Sequence, residues 1–195
     1  MFIRFLAPLV AIIFSVSTAS AQIYQWSVSD GGNGHYFEFV QQQLTWSQAN
    51  AAAQLRTFNG VNGHLATDTS AAETAFFESH YVVDGEGNLT PGWLGGYQDP
   101  SAPDFSEPAG GWRWITGEPF TYTNWFPGLP DNSGASQNYI RTQTFFRWDD
   151  FQDVSSNFTP GYYVEYAPEP AAALPVCLSL ILLRRKRTDF IPTPA

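Results

Sequence analysis

Trp93-Leu94-Gly95-Gly96, then Gly111-Trp112-Arg113-Trp114, then Asn124-Trp125, then Leu129-Pro130-Asp131, and finally Trp148-Asp149-Asp150 form the run that decides how this chain is read. Tryptophan signposts come in a fixed order and close on an acidic pair. Aromatic residues make up 16% of the chain and charged residues 14%. That balance supplies the material for a small core, because each aromatic side chain buries roughly 150–250 Å². Carboxylate and amide oxygens on irregular, Gly/Pro-rich chain are the ligands a hard cation such as calcium takes.

Upstream of these signposts the pattern is helical. Tyr36–Val40 is aromatic and β-branched and predicts a strand. Thr45-Trp46-Ser47-Gln48 is a capping box, with an N-cap hydroxyl and a Gln three residues later. The helix that follows carries Trp46, Ala49, Ala52, Ala53 and Leu55 near one face and stops before Gly60. Ser70-Ala71-Ala72-Glu73 is a second capping box, opening a helix through Phe76, Phe77 and His80. Asp30-Gly31-Gly32-Asn33-Gly34, near the start, reads as a turn or flexible leader.

Beyond Asp84 the texture changes to short strands between turn residues. Strands are expected at 92–96, 112–115, 139–144, 146–149 and 162–166. Residues 116–138 form a long, mostly irregular segment, and compact domains rarely carry one without a use for it. Two helices, then short strands, then a long loop is an α+β order.

In order and spacing these motifs resemble the C-type lectin-like domain, over Tyr36 to Tyr166. Gly63-His64-Leu65-Ala66-Thr67 between the helices and Tyr163-Val164-Glu165-Tyr166 at the end belong to the same likeness. The resemblance implies that the first and last strands pair and that the long loop carries the ligand site. It implies a loop calcium ion, held by a Glu-Pro-Asn or Gln-Pro-Asp triplet, a later Glu and the Asn-Asp after a tryptophan. Carried over, the triplet is Leu129-Pro130-Asp131, the later Glu is Gln137, and the last pair is Asp149-Asp150. The implied metal ligands are Asp131, Gln137, Asp149 and Asp150, with Asn132 and Asn138 joining them in the ligand site. Leu129 departs from the pattern, because its side chain coordinates nothing. The likeness also implies a cis Pro130. The tryptophans belong in the core by the same pattern, and His64 is read as structural.

The two ends speak for export. Arg4, the apolar run at 5–14 and Ala19-Ser20-Ala21 read as a signal peptide over 1–21. Pro168-Glu169-Pro170, an apolar stretch at 171–183 and Arg184-Arg185-Lys186-Arg187 resemble the PEP-CTERM sorting signal of Gram-negative bacteria. That resemblance implies an exosortase-type protease as partner, transient anchoring in the inner membrane and delivery to the surface or extracellular matrix. It covers 168–187. The tail at 188–195 lies beyond where such signals stop. The domain itself is 22–167.

Between those ends the basic residues are Arg56, Arg113, Arg141 and Arg147, while all 18 acidic residues except Glu169 and Asp189 lie there. So acidic a domain excludes nucleic acid, whose phosphates need a basic face. The single cysteine, Cys177, rules out an intrachain disulfide. A glycoside hydrolase needs two carboxyls facing each other across a substrate. Asp149 and Asp150 are adjacent, so on extended chain they point to opposite faces. No Ser-His-Asp or Cys-His signature is present. The reading is a non-enzymatic, exported recognition protein. Its ligand is a glycan or extracellular polysaccharide, with surface proteins as a further class. The alternative is a calcium-independent structural or adhesive matrix protein on the same fold.

Overall fold

Gly161–Tyr166 is buried along its whole length, and the rest of the molecule is arranged around it. The computed structural model describes residues 22–81 and 90–168. The leader at 1–21, most of the Pro-Glu-Pro segment and everything after it lie outside them. In chain order the strands and helices are β1 (Ile23–Gln25), β2 (Tyr36–Val40), α1 (Trp46–Gln54), β3 (Thr57–Phe58), β4 (Val61–Asn62) and β5 (His64–Leu65). Then come α2 (Ala71–His80), β6 (Gly92–Gln98), β7 (Trp112–Trp114), β8 (Tyr139–Thr142), β9 (Trp148–Phe151) and β10 (Gly161–Tyr166).

The main sheet runs β1-β2-β10-β6-β8-β9, with β5 also on β10 and β7 also on β6. β10 pairs antiparallel with β2, from Tyr162 opposite Val40 to Tyr166 opposite Tyr36. It pairs parallel with β6 through Gly161–Gly92 and Tyr162–Trp93. The first and last strands of the domain therefore close on each other, as the resemblance implied.

Both helices begin as their sequences require. At α1 the Thr45 hydroxyl accepts the Gln48 N–H, and the Gln48 side chain accepts the Thr45 N–H in return. At α2 only half of the box forms. The Ser70 hydroxyl accepts the Glu73 N–H, but the Glu73 carboxylate turns past Ser70 to the N–H and hydroxyl of Thr69. The sequence pattern allowed either partner, and the path of the chain before α2 selects Thr69.

Some strand limits differ from those expected. β6 runs on to Gln98, and the strand expected at 146–149 lies at Trp148–Phe151. Phe146 is instead drawn into a tight turn at Thr144–Phe146, where its ring stacks on Phe77 at 4.3 Å. Ahead of the Gly-rich leader, Ile23–Gln25 adds β1 to the sheet edge. The β3–β4 hairpin was also not foreseen, since two-residue strands leave no periodic signal.

Two aromatic clusters form the core. Phe37, Phe76, Phe77, Trp112, Trp114, Trp148 and Tyr163 lie on the α2 side. Trp46, Ala49, Ala53, Leu65, Trp93, Tyr162 and Tyr166 lie on the α1 side. Indole N–H groups stitch the layers together: Trp46 donates to the Leu94 carbonyl at 2.8 Å and Trp93 to the Leu44 carbonyl at 2.9 Å. The glycines after Trp93-Leu94 are explained by closeness. A Cβ on Gly95 would meet the Leu65 carbonyl oxygen at 2.7 Å and Ile115 at 2.8 Å. Gly95→Ala is thus expected to overpack the sheet and to lower stability by about 1–3 kcal/mol, read as a shift in urea midpoint at constant slope.

Candidate functional site

The segment from Thr116 to Asn138 holds no strand, but it is tied to the sheet at a definite place. Asn124 is buried, and its carbonyl accepts the Trp148 N–H at 2.8 Å. Its side-chain amide donates to the Phe146 carbonyl at 3.0 Å, and its side-chain oxygen accepts from Arg147 at 2.8 Å. The Phe126 N–H donates to the Trp148 carbonyl at 2.8 Å. Half-buried Trp125 then sits edge-on to Trp112 and Trp148, with ring centroids 4.9 and 5.5 Å away. The Asn124-Trp125 signpost is the hinge pin of the loop.

Past that pin, the Leu129–Pro130 peptide is cis, as the resemblance implied. Asp131 and Asn132 follow, and both backbone N–H groups donate to the Asp150 carboxylate at 2.7–3.1 Å. The Asn132 side-chain oxygen accepts the Gln137 N–H at 3.0 Å. The Asp131 carboxylate is exposed and accepts the Ser133 N–H at 3.0 Å. The Gln137 side-chain oxygen is buried with no protein partner. Asn138 serves through its backbone, accepting the Gln98 N–H at 2.8 Å. The structure thus brings Asp131, Asn132, Gln137 and Asp150 together.

Asp149 goes elsewhere. Adjacent residues on a strand face opposite ways, and Asp149 faces Arg141 across the β8–β9 ladder. The Arg141 guanidinium donates through Nη2 at 2.6 Å and Nε at 2.8 Å. Both side chains are close to fully buried. Arg141 also lies over the Phe151 ring and donates to the Phe158 carbonyl at 2.7 Å. The sequence reading missed Arg141 as a site residue. Its place opposite Asp149 follows from strand register, which motif matching does not use. Burial raises the Asp150 pKa above its ordinary value, opposed by the hydrogen bonds from Asn132 and Asp131.

Calcium takes about 6–8 oxygen ligands. Leu129 supplies no side-chain oxygen, Asp149 is committed to a guanidinium, and Asp150 is engaged by backbone N–H groups. As arranged, these side chains do not collect a calcium shell. Among the described residues no three His, Cys, Asp or Glu side chains gather as a metal-holding group. No helix among them is long and apolar enough to cross a membrane.

Several solved structures superpose on this arrangement. The C-type lectin CEL-I from Cucumaria echinata superposes with a TM-score of 0.55 at 22% identity, covering 69% of this chain and 90% of that one. This chain has the C-type lectin-like fold. The carbohydrate-recognition domain of mouse scavenger receptor C-type lectin matches with a TM-score of 0.53 at 20% identity, covering 70% and 91%. A calcium-independent type II antifreeze protein matches with a TM-score of 0.51 at 24% identity, covering 68% and 86%. Among curated proteins, halomucin of Haloquadratum walsbyi is 30% identical over 149 residues, 69% of this chain but 1% of halomucin. Ladderlectin of Oncorhynchus mykiss is 29% identical over 130 residues, 64% of this chain and 60% of ladderlectin. The match therefore spans less than two thirds of either relative. No family model matches the chain.

The Arg141–Asp149 pair gives a direct test of how the hairpin under the loop is held. Arg141→Leu strands a buried carboxylate, with an expected loss of about 3–5 kcal/mol. Arg141→Leu together with Asp149→Leu is expected to recover most of it. Urea unfolding of both single variants and the double variant reads the coupling.

Proposed function

We propose that this protein is an exported recognition module that binds a glycan through the surface of loop 116–138, without calcium. One observation carries the calcium-free part. Asp149, which the resemblance assigns to the metal, is neutralised by the Arg141 guanidinium at 2.6 Å. A fixed cation of the protein's own stands beside the carboxylate, and a second, mobile cation there would be repelled. The Asp150 hydrogen bonds to Asp131 and Asn132 supply the loop order that an ion otherwise provides. The similarity to a calcium-independent antifreeze protein of this fold is in keeping with that reading.

The glycan part is supported by the lectin names among the relatives and neighbours. It is also supported by loop chemistry. Exposed Asp131 and the side chains of Asn132 and Asn138 offer carboxylate and amide groups to hydroxyls, beside partly exposed Phe126. The leader at 1–21 and the Pro-Glu-Pro segment support export and delivery to the cell surface or its matrix, where polysaccharide is the abundant partner. No enzymatic role is proposed, since Asp149 and Asp150 face opposite ways.

A calcium-dependent variant of this reading has one observation in its favour, the buried and unpartnered Gln137 side-chain oxygen. A glycan array probed with the full chain, with and without chelator, separates the two. Retention of the same glycan signals in chelator is expected, with at least a tenfold loss, about 1.4 kcal/mol, for Asp131→Ala. Signals that vanish in chelator would establish the calcium-dependent form. A blank array in both conditions would leave a structural or adhesive role towards protein as the better reading.

A further inference from the structure

Arg147 stands apart from the other basic residues of the domain. Arg56 is paired with Glu38, Arg113 with Asp104 and Arg141 with Asp149. Arg147 is exposed, and among the described residues it forms no ion pair. It is nevertheless held in place. Its Nη1 donates to the side-chain oxygen of buried Asn124 at 2.8 Å, and the Asn124 amide in turn donates to the Phe146 carbonyl at 3.0 Å. The opposite edge of the guanidinium, Nε with Nη2, makes no hydrogen bond among the described residues. A neutral amide thus positions a full positive charge without cancelling it.

The turn before Arg147 carries the second observation. Phe145 and Phe146 both lie in the left-handed region, at φ 57° and 52°. Hairpin tips that need such backbone are usually built from Asn and Gly, because a Cβ is crowded there. Phe146 has a reason to accept the strain: its ring is fully buried and stacks on Phe77 at 4.3 Å. Phe145 has no such reason within the fold, since it is 56% exposed. An aromatic side chain at a strained and exposed position points to a use outside the fold.

We propose that Arg147 and Phe145 form a subsite for an acidic sugar. The carboxylate of a uronic acid takes the Nε–Nη2 edge of Arg147, and the face of its ring lies on Phe145. The proposal rests on the glycan reading above and names the class of sugar. The free guanidinium edge presents two parallel N–H groups, which match the two oxygens of a planar carboxylate. The phenyl ring carries negative charge on its face, which suits the C–H groups of a sugar ring. The subsite adjoins the loop surface. Asn124 belongs to the loop, and β9 leads from Arg147 to Asp150, which holds the Asp131 and Asn132 backbone. Three residues of extended chain span about 10 Å, so one oligosaccharide of a few residues covers both places.

The net acidity of the domain is largely screened here, since exposed charges more than about 8 Å away act weakly at physiological salt. Glu78 of α2 is the carboxylate to weigh. Burial, first, raises the Tyr122 pKa; the Glu78 charge adds to that and the Arg147 charge opposes it. Both charges therefore lie near the Tyr122 hydroxyl, yet they form no ion pair with each other.

Surface plasmon resonance of the full chain at physiological salt tests the subsite. The probes are polygalacturonate, alginate and hyaluronate. The methyl ester of polygalacturonate hides the carboxylate, and dextran sulfate replaces it. Binding to at least one polyuronate is expected. Arg147→Gln is expected to weaken it at least tenfold, and Phe145→Asn about threefold or more. Asn is at ease in the left-handed region, so Phe145→Asn should keep or raise the urea midpoint, and its loss of binding is not a loss of fold. Arg147→Lys keeps the charge but not the fork and should retain only part of the binding. Polyuronate binding unchanged in Arg147→Gln overturns the proposal. So does equal binding of the methyl ester, or binding of dextran sulfate alone. If no polyuronate binds, the glycan array separates the two readings: signals there leave the loop reading standing and sink this one, and a blank array sinks both.

Discussion

β10 is the constraint on which the rest of the molecule depends. Six consecutive residues, Gly161 to Tyr166, are buried while bonded to β2 on one side and to β6 and β5 on the other. Buried backbone needs every polar group paired, so the last strand is satisfied only together with the first strand and the middle of the chain. The chain carries one cysteine, and no intrachain disulfide shares this work. Long-range pairing and aromatic packing hold the ends together instead. Tyr163 shows how closely the two are joined. Its backbone bonds to Ala66, its ring meets Phe77, Tyr81 and Phe146, and its hydroxyl donates to the Thr90 carbonyl at 2.9 Å.

The long loop borrows its order from that sheet. Asn124 and Trp125 fasten one end to β9, and Asp150 fastens the stretch after Pro130. Between them, Arg141, Asp149 and Asp150 are used up within the protein. A buried carboxylate and a buried guanidinium each cost several kcal/mol to desolvate, and together they are tolerable because each satisfies the other. The same economy appears at Glu38, which takes Arg56 and the Tyr166 hydroxyl beside the start of the sheet. These pairs stiffen the platform under the loop and leave the Asp131 side chain exposed.

At the loop's other root the balance is incomplete. Glu73, Glu165 and Asp68 are all buried, and the cations near them are histidines rather than arginines. Histidine changes charge near neutrality, whereas arginine does not.

Much of the fold was legible in the residues. Apolar period marked both helices, the capping box marked the start of α1, and the ordered tryptophans marked the sheet and the loop. Two-residue strands and the edge strand Ile23–Gln25 left no comparable trace, because their pairing is decided by distant partners. The site residues were legible as types but not as roles. Asp149 and Asp150 look alike in the chain. Strand register alone sends one to Arg141 and the other to the loop backbone. Glu73 reads as a helix cap, and only the path of the chain before α2 turns its carboxylate to Thr69. The sequence by itself determined composition, helix starts, an α+β order and the position of the loop, because these rest on local propensity and spacing. The tertiary structure decided which carboxylates meet a cation, which meet backbone and which meet one another. Those outcomes depend on distances between residues far apart in the chain.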